Sequence, residues 1–129
     1  MKIKVGWIGK TKDSAIQALT DEYLKRISRY AEVAGPVLKD EAAVLAMARG
    51  ERQKERHKLI LLDSRGRQLS SEELARWLEG EQAYSVPLLF AVGSADGFSD
   101  ELTAVVVLAW LTIWVSAVAV LTLKLASPL

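Results

Sequence analysis

Cysteine is absent from this chain, which excludes disulfides, thiolate nucleophiles and cysteine-ligated metals. Histidine occurs once, as His57, a poor basis for a histidine metal site or a serine triad, and no metal site is expected. Internal repeats and low-complexity linkers are also missing, and 129 residues suit a single domain over 1–129 with one real core. The amino-terminal MKIKVGWIGK has too short an apolar run, with the wrong flanks, for a signal peptide. A cytoplasmic protein is expected.

Net charge is small, at a formal +1, but the charged residues are unevenly spread. Residues 1–67 hold 15 Lys and Arg against 9 Asp and Glu, whereas residues 68–101 hold 1 against 7. A basic first half can attract phosphate backbones, although the commoner reading of such a charge excess is a solvated surface. From Leu102 to Leu123 no charged residue occurs for 22 positions, a length that can cross a bilayer.

What is present reads as alternating strands and helices. Ile3, Val5 and Trp7 alternate with Lys2, Lys4 and Gly6, the period of a strand with one buried face. Asp13 or Ser14 can cap a helix with Ile16, Leu19, Tyr23, Leu24 and Ile27 inward, and Lys25, Arg26 and Arg29 suit its carboxyl end. Residues 32–37 form a second strand that Gly35 and Pro36 restrict to an edge. Asp40 caps a helix with Val44, Leu45 and Met47 inward, which Gly50 interrupts or ends. KLILLD (58–63) is a buried-type strand followed by a turn at Ser64, Arg65, Gly66 and Arg67. Ser70 and Glu73 then make a capping box before Leu74, Trp77 and Leu78.

PLLFAVGSADGFSD (87–100) combines the remaining signals. Leu88 to Val92 is an unbroken apolar run, as in a strand covered on both faces. Gly93 and Gly97 mark a sharp turn or a close approach, and Ser99 can cap a new helix. Strand, glycine loop and helix form a ligand loop or an ordinary turn. The whole order predicts an α/β protein with a mostly parallel sheet and helices on both faces.

Together, IKVGWIGK, DEYLKRISRY, LLDSRGRQLSSEELA and FAVGSADGFSD resemble the RlmH-type family, the SPOUT-class methyltransferases acting on pseudouridine in 23S ribosomal RNA, over about residues 1–101. The resemblance implies a SPOUT-like trefoil knot, S-adenosylmethionine as cofactor, a homodimer, and methylation of a pseudouridine ring nitrogen within the ribosome. It implies cofactor contacts at Leu62, before the aspartate of the LLD strand end, and at Gly93, first glycine of the GGxxG-like loop. Gly97 matches the closing glycine, while Ser94 replaces the second. Methyl transfer from a sulfonium needs positioning and exclusion of water rather than a metal. No general base is assigned; Asp63 and Asp96 are nearby acids whose commoner role is in turns and caps.

After Glu101 the likeness stops, and 102–129 form an atypical apolar segment. Three readings stay open. An altered tail leaves a non-catalytic body that still binds ribosomal RNA. A diverged tail folds into the knot, with 105–107 and 113–120 as buried strand or helix and Trp110 and Trp114 sharing a helical face. Alternatively, the tail anchors the domain in a membrane.

Overall fold

The computed structural model of the protein describes residues 1–9, 12–51, 55–93, 97–103 and 111–114. Strand β1 (Lys2–Ile8) leads to helix α1 (Ser14–Ile27), short strands β2 (Glu32–Ala34) and β3 (Val37–Leu38), and helix α2 (Glu41–Arg49). Strand β4 (Lys58–Gln68), helix α3 (Ser71–Glu81), strand β5 (Leu88–Val92) and strand β6 (Leu111–Trp114) follow. A helical turn also begins at Asp100. The strands form one sheet in the order β2-β1-β5-β4-β6, with β3 also on β1, and every described pairing is parallel.

Local chemistry sets the element ends largely as the sequence predicts. Asp13 caps α1 by accepting the Ala15 and Ile16 amides, and Asp40 caps α2 by accepting that of Ala43. Gly50 ends α2 in the left-handed conformation, at φ 73°. The Ser70 and Glu73 capping box is complete in both directions.

The two faces of the sheet carry separate cores. Leu59 and Leu61 of β4, with Leu89 and Ala91 of β5, join Val44 and Ala48 of α2, and Phe98 and Leu102 close this side. Ile60 and Leu88 point the other way, to Leu69 and to Leu74 of α3, where Trp77 meets Phe90 edge-on at 6.3 Å. β5 therefore lies between β1 and β4 and is apolar along both faces. The alternation in β1 has a different cause from a wet face. Gly6 is buried because Leu38 folds over it: a Cβ there would lie 2.9 Å from Leu38 Cδ1.

Three expectations need correction. Residues 32–37 are not one strand; Gly35 and Pro36 separate β2 from β3, and both segments pair with β1. α1 keeps only Tyr23, Leu24 and Ile27 of its apolar face half-buried, whereas Ile16 and Leu19 are each 55% exposed. The turn expected at 64–67 lies within β4, which pairs with β6 at Leu62 and again at Arg67 across a break in register.

The tail is legible in part. Leu111–Trp114 is strand, so the 22 uncharged positions are not one membrane-crossing helix and Trp114 lies on no helical face. Among the described residues no helix is long and apolar enough to cross a membrane. The path on which the expected knot depends, 104–110 and 115–129, lies outside the described residues.

His57, just before β4, is 3% exposed, and neither ring nitrogen makes a well-formed hydrogen bond. Burial, followed by the nearby Lys4 charge, lowers its pKa below the usual 6.5, against the opposing influence of Glu55 and of the Met47 and Glu55 backbone. A depressed folded-state value means the unfolded chain takes up the proton first. Stability from neutral His57 is thus complete above pH 6.5 and declines as pH falls from there through the folded-state pKa. Urea midpoints measured from pH 7.5 to 5 should fall with acid, and His57→Gln should flatten that limb.

Candidate functional site

Parallel strands expose their carboxyl ends along one edge, and the register shows which residues meet there. Val37, Trp7, Val92, Leu62 and Ile113 are successive Cα partners across β3, β1, β5, β4 and β6. Neighbouring strands are separated by about 4.8 Å. The sequence-predicted Leu62 thus stands beside Val92; Gly93 follows the end of β5, whereas Leu62 and Asp63 lie within β4, just before its break in register with β6, and not at the strand end that the sequence predicts. Leu62 is half-buried and Val92 is 36% exposed, leaving an apolar ledge at the edge. Asp63 is 5% exposed and engaged by a neighbouring group.

Gly93, after β5, and Gly97 approach each other closely. A Cβ on Gly93 would lie 3.0 Å from the Gly97 carbonyl carbon and 3.2 Å from its oxygen, so two backbones touch where no side chain fits. Gly97 is required for another reason: its φ is +78°, while the direction a Cβ would take is open for 4 Å. The two predicted glycines form one narrow neck. Ser94 and Asp96 lie outside the described residues.

Chain direction makes this neck border a crevice. α3, following β4, lies on the Ile60 and Leu88 side of the sheet. α1, following β1, shares that side, because Leu24 and Trp7 both approach Gly35. The chain leaving β5 crosses to the opposite face, where Phe98 and Leu102 are buried beside Val44 and Ala48. Connections that part to opposite faces leave a gap outside the strand tips, the usual ligand position in open α/β sheets. Among the described residues no group of three or more His, Cys, Asp or Glu could hold a metal.

Sequence reasoning does not find Val92, Trp7 or Val37 in this edge row, because strand register leaves no local signal. It also misses Glu41, whose carboxylate accepts the Ser99 amide at 2.7 Å and the Ser99 hydroxyl, 58 residues away.

Fold and edge define an open parallel α/β protein in which Leu62 of β4 stands beside Val92 at the end of β5. Comparisons narrow the class. A family model described as "Predicted SPOUT methyltransferase" matches residues 1–113. Ribosomal RNA large subunit methyltransferase H of Koribacter versatilis (strain Ellin345) is 46% identical over 102 residues, covering 78% of this chain and 69% of that protein. Its namesake in Geotalea daltonii is 40% identical over 113 residues, with 81% and 74% covered. That of Geobacter sulfurreducens is 40% identical over 110, with 78% and 72% covered. The chain belongs to the RlmH-type family of SPOUT methyltransferases. The family match continues twelve residues beyond the blocks at 1–101, into β6.

Proposed function

We propose that this chain is an S-adenosylmethionine-dependent methyltransferase that modifies a pseudouridine ring nitrogen in 23S ribosomal RNA, acting as a homodimer on the cytoplasmic ribosome. The observation carrying this reading is the pairing of Leu62 with Val92, which sets Leu62 beside the strand end from which Gly93 leaves. The relatives, ribosomal RNA methyltransferases by name, support ribosomal RNA as substrate.

The residues present fit an adenosyl group. Leu62 and Val92 offer an apolar wall to a purine ring and exclude water from it. The Gly93 and Gly97 neck lets backbone approach closely, with open space beside Gly97. Bound S-adenosylmethionine would supply an electrophilic methyl group. The chain's own contribution is to hold donor and base in line and dry, and positioning of this kind supplies much of the barrier reduction. Asp63, buried and already engaged, helps to fix β4 beside Leu62. The exposed Ile16 and Leu19 of α1 favour a homodimer, since a second copy could cover them.

The test combines calorimetry with S-adenosylmethionine and methyl transfer to ribosomes lacking the modification. Micromolar binding and incorporation into 23S RNA are expected. Salt-sensitive ribosome binding by folded protein that takes up no donor would instead establish the non-catalytic RNA-binding reading.

A further inference from the structure

We propose that Glu41 is a positioning residue for the methyl-donor loop, acting through Ser99; this rests on the donor reading above. Glu41 is the first residue of α2, whose backbone is held by Asp40: its side chain accepts the Ala43 amide at 2.9 Å and its carbonyl accepts the Val44 amide at 3.3 Å. From that fixed point the two carboxylate oxygens divide between the backbone and side chain of one residue. Oε2 takes the Ser99 N–H and Oε1 takes the Ser99 O–H. Hydrogen bonds to a carboxylate are about twice as strong as neutral ones, and two on one residue fix its orientation as well as its distance.

Ser99 passes the constraint on. With its proton directed at Glu41, Ser99 Oγ accepts the Leu102 amide at 3.2 Å, and the Ser99 carbonyl accepts the Thr103 amide at 3.1 Å. Ser99 therefore starts the helical turn at Asp100 while being tied to α2. The buried Phe98 and Leu102 secure the chain on either side. Gly97, two residues upstream, forms the neck with Gly93. Between the neck and the buried anchors, Glu41 is a polar fixing point.

The geometry separates this role from ordinary support of α2. Asp40 caps the same helix end and, among the described residues, makes no hydrogen bond to the loop, so it is the control. Donor affinity is measured by calorimetry with S-adenosylhomocysteine on the full chain, alongside thermal melting and hydrogen exchange at the Ser99 and Leu102 amides. Glu41→Ala should weaken binding about 10-fold or more and speed exchange at both amides. Asp40→Ala should lower the melting temperature while leaving affinity within about 2-fold. The double variant Glu41→Ala with Ser99→Ala should lose less than the sum of the two single losses, because the contact between them is shared. Equal weakening by Asp40→Ala and Glu41→Ala, or wild-type affinity in folded Glu41→Ala, overturns the positioning role alone. A wild-type chain that binds neither S-adenosylmethionine nor S-adenosylhomocysteine removes the donor reading, and the role with it.

Discussion

Gly93→Ala should weaken donor binding more than any other single-methyl change in the loop, by about 5- to 150-fold, the binding equivalent of the 1–3 kcal/mol that overpacking a closed contact costs. The methyl group would meet the carbonyl carbon, oxygen and Cα of Gly97 at 3.0, 3.2 and 3.3 Å. These are backbone atoms, so no rotamer change relieves the contact. The neck must open, and the ledge at Leu62 and Val92 then loses its fixed neighbour. Gly97→Ala acts differently, because the space is open but φ is +78°. Its cost is the roughly 1–2 kcal/mol of left-handed backbone for a residue with a Cβ, and Gly97→Asn should recover part of it. Calorimetry with S-adenosylhomocysteine, paired with thermal melts, gives the ranking. Wild-type affinity in folded Gly93→Ala would mean that the neck is no part of the donor site.

The contrast between these glycines marks how far the sequence could be read. Spacing identifies both as special, and the family resemblance assigns both to the loop, yet only coordinates separate close approach from backbone sign. Signals carried within a few residues are the legible ones. The caps at Asp13, Asp40 and Ser70, the stop at Gly50 and the doubly covered run of β5 each depend on neighbours in the chain. The sheet type follows from the same signals, because strands alternating with helices leave parallel pairing as the natural solution.

Features set by distant partners were not legible. Ser64, Arg65, Gly66 and Arg67 have the composition of a turn, but β6 pairs with β4 on both sides of them, so β4 continues to Gln68. The 22 uncharged positions match a bilayer in length and still contain a strand at Leu111–Trp114, since a strand paired within a sheet can be as apolar as a membrane segment. Glu41 has the ordinary appearance of an acid in the first turn of a helix, where it suits the dipole. Its hydrogen bonds to Ser99 leave no periodicity to find. The candidate site follows the same division: Leu62 and Gly93 were named by motif, whereas Val92 joined them only through register.

Helical periodicity reports that an apolar face exists and is silent about what covers it, and one pair of truncations isolates that difference. Leu19 belongs to the apolar face of α1 and Leu89 to the apolar run of β5, and by sequence both are core residues. In the structure Leu89 is 0% exposed, with β1 and β4 on either side, and its Cδ1 would lie 3.5 Å from a Cβ at Gly6. Leu19 is 55% exposed. Leu89→Ala should therefore cost about 2–5 kcal/mol, because a close-packed site between two strands cannot collapse around the lost atoms. Leu19→Ala should change the stability of the single chain by no more than about 0.5 kcal/mol. Urea unfolding of both variants at two protein concentrations distinguishes the possibilities. A Leu89→Ala cost below about 1 kcal/mol would contradict the buried β5 register. A Leu19→Ala cost that depends on protein concentration would locate the homodimer contact on α1, since only a contact between copies weakens on dilution.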